Sequence, residues 1–248
     1  MRFDLDTGSI HGQLPDGTPV EVEGYFWIPA GFLSMTFWLD FTLAGFIVAA
    51  GFVVVLFASI LLHEWAHKMV AERHGIACYG LELNGFGGLA YLDATAMRGP
   101  AAVRVLVAGP LANLTIAALL FALAALLEPF RATVPDYVRA GSMFFHFGGG
   151  PGDLLHRILQ AGWILNLALA AVNMLPAHPL DGGGIAVEWL LRRYSRRKAN
   201  RVVAGFGIAL GIVTSVVFLV SIFAGVVIYA PPSARVNLEV WEENAPPI

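Results

Sequence analysis

The sequence predicts an all-α, polytopic membrane protein with about five to six transmembrane helices, a small interfacial β-hairpin and an unwound Pro/Gly loop at membrane depth. Hydrophobic residues make up 57% of the 248 residues and charged residues only 13%, whereas a soluble domain carries about 25% charged residues. Uncharged stretches long enough to cross a bilayer, which takes about 20 residues, recur along the chain. One of them runs into two prolines and three glycines between 176 and 184, where a helix cannot continue.

The N-terminal part of the chain predicts one short and one long helix. Residues 1–24 are polar and rich in turn signals, so they form either a small β-hairpin or a loose tail. Residues 24–39 are uncharged but too few for a full span, which predicts a tilted or partly embedded helix. Asp40 has the character of an N-cap for a helix over 41–73, which ends with Gly75 as its C′ residue.

The rest of the chain alternates between spans and short connections. Residues 76–97 predict two short strands about a glycine turn. Spans are expected over 105–127, over 158–180 up to its Pro/Gly interruption, and within 202–230. A short helix over 185–193 is expected between the last two spans.

These elements divide the chain into three parts. A polar N-terminal segment covers residues 1–24, a membrane-embedded domain covers 25–230, and a polar, Pro-rich tail covers 231–248.

The distribution of basic residues predicts the orientation in the membrane. Six of the fifteen Lys and Arg residues fall within ten positions: Arg192, Arg193, Arg196, Arg197, Lys198 and Arg201. The positive-inside rule therefore places this segment in the cytoplasm. We expect a multi-pass protein of a bacterial or archaeal cell membrane.

The most informative motif ends the long apolar helix, at His63-Glu64-Trp65-Ala66-His67. The two histidines are four positions apart and so share one helix face, where both imidazoles can bind one zinc ion. Glu64 beside them can act as a general base. The alternative is a helix end at the polar interface, where such residues are tolerated. The 22 uncharged residues before the motif cover about 33 Å, so the motif lies towards one face of the bilayer.

Asp181 is the best candidate for a third metal ligand. Catalytic zinc usually has three protein ligands, and the single cysteine, Cys78, excludes a Cys-rich site. Asp181 is the only carboxylate between 158 and 187, and a buried carboxylate in a membrane needs a cation. The alternative is a turn residue or the N-cap of the following short helix.

At these residues the sequence resembles the site-2 protease family of intramembrane zinc metalloproteases. The HExxH motif of the family matches residues 63–67. Its Asn-x-x-Pro stretch followed by Leu-Asp-Gly matches Asn173, Pro176, Leu180, Asp181 and Gly182. Two further segments resemble the family, at Phe86-Gly87-Gly88 and at Ala108-Gly109-Pro110-Leu111-Ala112-Asn113. The resemblance runs from about residue 41 to 195.

The resemblance implies a role for each matching residue. His63, His67 and Asp181 would bind one Zn²⁺ per chain, and Glu64 would be the general acid and base. Asn173 would help hold the substrate backbone or the oxyanion.

Two more polar residues are candidates for secondary roles. Asn113 lies in an apolar helix and needs a hydrogen-bond partner, so it is expected to face the bundle. His178 occupies a position where the family usually has a second proline. It could be a spare ligand, a substrate contact or a tolerated change.

The resemblance further implies an endopeptidase in the lipid bilayer. It would hydrolyse peptide bonds in or near a transmembrane helix of a membrane-protein substrate, towards the cytoplasmic side, and release a regulator. The sequence is compatible with a regulatory membrane partner and does not define the oligomeric state. No nucleic-acid partner is expected.

Two rival functions use some of the same residues. A prenyl-protein-type membrane zinc protease also carries HExxH but takes a glutamate as third ligand, for which Glu72 and Glu188 are the candidates. A non-proteolytic membrane metal-binding or transport protein would use the histidines and Asp181 without needing Glu64.

Overall fold

Long apolar helices pack around one central helix in the computed structural model, which describes residues 2–4, 7–38, 41–85, 87–128, 151–223 and 234–245. The helices are α1 (Trp27–Trp38), α2 (Leu43–Arg73), α3 (Gly99–Leu127), α4 (Pro151–Asn173), α5 (Asp181–Leu190), α6 (Arg196–Phe223) and α7 (Ala234–Glu243). Helix α2 contacts α1, α3 and α4, while α5 contacts α3 and α6.

A five-stranded sheet packs on α2. Its strands are β1 (Arg2–Phe3), β2 (Ile10–Gln13), β3 (Pro19–Val22), β4 (Cys78–Asn84) and β5 (Gly87–Leu92), in the spatial order of their numbers. Both predicted hairpins form, β2 with β3 and β4 with β5, each antiparallel. The N-terminal segment is therefore a hairpin with an added first strand, and the loose-tail alternative is wrong.

The two hairpins join through a parallel pairing of β3 with β4, in which Val20 lies opposite Leu81 and Val22 opposite Leu83. This pairing was not predicted. It buries Val22 and Leu83 against Phe26 and against two residues of α2, Leu56 and Ile60. The hydrophobic contacts hold the sheet on the same helix that carries the HExxH motif.

Both ends of α2 are capped. The side chain of Thr42 accepts a hydrogen bond from the Gly45 N–H at 3.0 Å, so Thr42 is the N-cap; the predicted cap, Asp40, lies outside the described residues. At the other end, Gly75 has a φ of 73°, and the N–H of Ile76 donates to the carbonyl of Ala71 at 3.0 Å. This is a Schellman motif, which confirms Gly75 as C′ residue.

Lys68 connects α2 to the N-terminal hairpin. Its side chain is 4% exposed and donates to Asp16, in the β2–β3 turn, at 2.8 Å and to Glu72 at 2.7 Å. The hydrogen bond from the Lys68 ammonium holds the pKa of the Asp16 carboxyl well below its usual range. Two carboxylates therefore compensate the one buried ammonium group.

Among the described residues, four helices are long and apolar enough to cross a bilayer, namely α2, α3, α4 and α6. Helix α1 has 12 residues and covers about 18 Å, less than the hydrocarbon core of about 30 Å. It corresponds to the tilted or partly embedded helix expected over 24–39. Within the bundle, Asn166 donates to Ser59 at 2.9 Å, a buried hydrogen bond between α4 and α2 of the kind that joins membrane helices.

The C-terminal elements differ from the prediction in their extents. Helix α5 spans Asp181–Leu190, rather than 185–193. Helix α6 begins at Arg196 because the basic segment, made of good helix formers, forms its first turns.

The tail, predicted as polar and Pro-rich, contains α7, which packs on α6. Asn237, at the centre of its packed face, is fully buried, while Val236, Val240 and Trp241 beside it are partly buried. These residues form one helical stripe. The flanking prolines and charges conceal this stripe in the sequence.

Candidate active site

The structure brings together the three residues predicted as metal ligands. Helix α2 supplies His63 and His67 one turn apart, and the first residue of α5 supplies Asp181. The two Nε2 atoms are 3.0 Å apart. The carboxylate oxygens of Asp181 lie 3.2 Å from Nε2 of His63 and 3.3 Å from Nε2 of His67.

The spacing of these atoms fits a tetrahedral zinc site. Zinc binds nitrogen and oxygen ligands at about 2.0–2.2 Å, which puts neighbouring ligand atoms about 3.3 Å apart. Three ligand atoms leave one tetrahedral position open, as in catalytic zinc sites.

A hydrogen bond orients the His67 imidazole for this task. Its Nδ1 lies 2.7 Å from the carbonyl oxygen of Val105, on α3. A carbonyl can only accept, so Nδ1 carries the proton. The Nε2 lone pair is then free to bind a metal ion placed between the three ligand atoms. The α2–α3 contact therefore sets the tautomer of a candidate metal ligand.

Glu64 is buried beside the histidines, under strand β5. Its carboxylate accepts a hydrogen bond from the backbone N–H of Ala90. A methyl group on Gly88 would lie 2.5 Å from its Oε1, so the backbone of β5 passes directly over the carboxylate. The sheet thus forms one wall of the site.

The charges of the cluster also favour a bound cation. Within the described residues, neither Glu64 nor Asp181 forms an ion pair with a lysine or an arginine. Buried carboxylates are costly unless a cation accompanies them. A divalent ion at the three ligand atoms would balance both charges.

Helix α3 closes the site from the other side. A methyl group on Gly109 would lie 2.3 Å from Nε2 of His67 and 2.4 Å from Nε2 of His63. Asn113, one turn further along the same face, is 1% exposed, and neither side-chain amide atom has a hydrogen-bond partner within the described residues. As predicted, Asn113 faces the bundle.

A tight turn between α4 and α5 delivers Asp181. Residues 174–180 are non-helical, as predicted for the Pro/Gly loop. A methyl group on Gly182 would lie 2.2 Å from the carbonyl oxygen of Met174, so the start of α5 can approach the turn only with glycine there. Asn173 ends α4, half-buried, directly before this turn.

His178 lies outside the ligand cluster, but its backbone is held firmly. The side-chain amide of Asn237 accepts from the His178 N–H at 3.0 Å and donates to the His178 carbonyl at 2.7 Å. Asn237 is completely buried. Asn237 cannot be identified from the sequence, because the local signal is a single amide within the apolar stripe of α7.

The two glutamates considered as alternative ligands are engaged elsewhere. Glu72 accepts from Lys68 at 2.7 Å. Glu188 accepts from the backbone N–H of Gly99 at 2.8 Å. Neither belongs to the ligand cluster in the described part of the chain, so a glutamate as third ligand finds no support.

Comparison with known proteins agrees with this geometry. Residues 51–218 match the sequence model of the family described as Peptidase family M50. The chain belongs to this family. It is 34% identical over 192 residues to Rip3 of Mycobacterium tuberculosis. This alignment covers 73% of the present chain and 42% of Rip3. The chain is 29% identical over 160 residues to a zinc metalloprotease of Methanocaldococcus jannaschii, covering 64% of this chain and 40% of that protein.

The fold of this M50 chain also matches a solved structure. The site-2 protease from Methanocaldococcus jannaschii superimposes with a TM-score of 0.61 at 24% identity, covering 95% of this chain and 93% of that one. This match shows a common fold, and the family match confirms the resemblance found in the motifs. The chain spans about two fifths of the length of the curated relatives it matches.

Replacing Gly109 by alanine tests the contact between α3 and the histidines. The added methyl group would lie within 2.6 Å of both imidazoles, so the ligands must separate. We expect zinc affinity to fall by about tenfold or more, measured by competition with a chromophoric chelator. Gly31→Ala is the matched control, because nothing lies within 4 Å of the added methyl group. Equal zinc affinity in the two variants would contradict the geometry described here.

Replacing Asn237 by alanine tests whether α7 supports the Asp181 turn. The substitution removes both hydrogen bonds to the His178 backbone, so Asp181 should be held less rigidly and zinc affinity should fall by about tenfold. Replacing bound zinc with Co²⁺ gives an absorption spectrum that reports the ligand geometry directly. Arg235→Ala, on the exposed face of α7, serves as control. An unchanged cobalt spectrum and affinity in Asn237→Ala would refute this support.

Proposed function

We propose that this chain is a zinc-dependent intramembrane endopeptidase. The single observation that carries the proposal is the His63–His67–Asp181 cluster with Glu64 buried beside it, inside a bundle of apolar helices. One zinc ion per chain would polarise the substrate carbonyl and acidify a water molecule there. Membership of family M50 and the zinc metalloproteases among the relatives support this function.

Each residue of the site has a defined task in peptide hydrolysis. His63, His67 and Asp181 hold the metal, and the Val105 carbonyl keeps His67 in the required tautomer. Glu64 accepts the proton of the attacking water and then delivers it to the leaving amine. The Ala90 N–H orients its carboxylate for both transfers.

The substrate that suits this site is a transmembrane segment of another membrane protein, locally unwound. A helical peptide bond is shielded and its carbonyl already accepts a hydrogen bond, so the helix must open before hydrolysis. Strand β5 is at an edge of the sheet and passes over Glu64, and an extended peptide can pair with such an edge. Asn173 then contacts the substrate backbone, and cleavage releases a regulator.

The cleavage site faces the cytoplasm in this proposal. His63 lies 20 residues after the start of α2 at Leu43, about 30 Å along the helix and hence near one face of the hydrocarbon core. The basic segment at the start of α6 is on the cytoplasmic side by the positive-inside rule. Helix α5, which begins with Asp181, precedes this segment directly.

Glu64→Gln separates proteolysis from metal binding or transport. The amide cannot accept a proton, so cleavage of a single-span substrate should fall by at least about 100-fold. Zinc content should be unchanged, because Glu64 is not a ligand. Cleavage is measured by immunoblotting in cells that make either form. Glu72→Gln, two turns along the same helix, should retain cleavage. A Glu64→Gln protein that still cleaves the substrate would exclude the proposed mechanism.

A further inference from the structure

A second cavity, away from the metal ligands, lies between the start of α6 and the end of α7. Its volume is about 540 Å³. Arg197, Lys198 and Arg201 of α6 line it together with Trp241 and Asn244 of α7. The proposed peptidase function uses none of these residues.

The charges that line this cavity are all positive. It is lined by three cations and, among the described residues, by no carboxylate. Arg197, Lys198 and Arg201 form no ion pair with any part of the chain that is described, whereas the neighbouring Arg196 does pair with Glu188, at 3.5 Å. Unpaired cations that line one cavity favour an anionic ligand.

Arg201 is held at the wall of this cavity by an aromatic ring. Its guanidinium stacks on the Trp241 ring, 4.4 Å from the centroid, and both residues line the cavity. A guanidinium fixed in this way can donate charge-assisted hydrogen bonds to a phosphate group that enters the cavity.

Further along α6, past the three cations, the cavity wall becomes apolar. Val202 lines it next to Trp241, and Phe206 follows one turn further along α6. Both side chains are about half exposed, 49% for Val202 and 53% for Phe206. On a helix that crosses the membrane, such apolar side chains face the lipid. The site therefore has a cationic part at the start of α6 and, from Val202 to Phe206, an apolar part that can contact an acyl chain.

We propose that this cavity binds the phosphate headgroup of an anionic phospholipid, with an acyl chain along Val202 and Phe206. A soluble phosphate would use the cations but not the apolar wall. The proposal does not depend on the peptidase activity. It does concern the active site indirectly, because α7 also carries Asn237, which holds the turn before Asp181.

Lipid binding to the purified full-length chain tests the proposal. Native mass spectrometry in mild detergent counts the phosphatidylglycerol and phosphatidylcholine molecules that remain bound. We expect one retained phosphatidylglycerol in the wild type, displaced by neither phosphatidylcholine nor inorganic phosphate. Lys198→Gln/Arg201→Gln should weaken its binding about fivefold for each cation removed. Arg192→Gln/Arg193→Gln removes the same charge outside the cavity and should retain the lipid.

Each alternative outcome overturns the proposal. Equal loss in the two double variants would mean general attraction of anionic lipid to a basic surface. Displacement by millimolar inorganic phosphate would mean a soluble anion as ligand. Lipid bound by Lys198→Gln/Arg201→Gln as tightly as by the wild type, with an unchanged thermal transition, would remove the role given to these two cations.

Discussion

The structure depends on one electrostatic constraint, the burial of Glu64 and Asp181 beside two imidazoles in an apolar bundle. Without a cation this arrangement would carry two costly carboxylates far from water. With a divalent ion at His63, His67 and Asp181, the charges balance and the ligand atoms sit at the separations expected of zinc. The same constraint requires that α2 and α5, far apart in sequence, meet at this point.

Close backbone approach makes this meeting possible. Gly109 lets α3 contact both histidines, and Gly88 lets β5 pass over Glu64. Gly182 lets α5 begin directly on the turn that follows α4. The site is thus enclosed by two helices, a turn and a strand. That enclosure buries His63, Glu64 and His67.

The local part of this design could be predicted from the sequence, because it rests on spacing. The i, i+4 histidines and the Gly75 helix end follow from short-range rules. Asp181, 118 residues from His63, was found because it is the isolated carboxylate of an apolar segment and because it matches a family motif. The parallel β3–β4 pairing could not be predicted, since α1 and α2 separate the strands. Asn237 was missed for a similar reason: its partner, His178, is 59 residues away, and no local pattern identifies such a contact.

Zinc content of Asp181→Ala and His178→Ala beside the wild type is the most direct test of the central claim. Asp181 is a ligand in this account, whereas His178 contributes only its backbone to the turn. We predict about one zinc per chain in the wild type and in His178→Ala, and a large loss in Asp181→Ala. Zinc lost on changing His178 and kept on changing Asp181 would contradict the account, because the site would then contain three histidines.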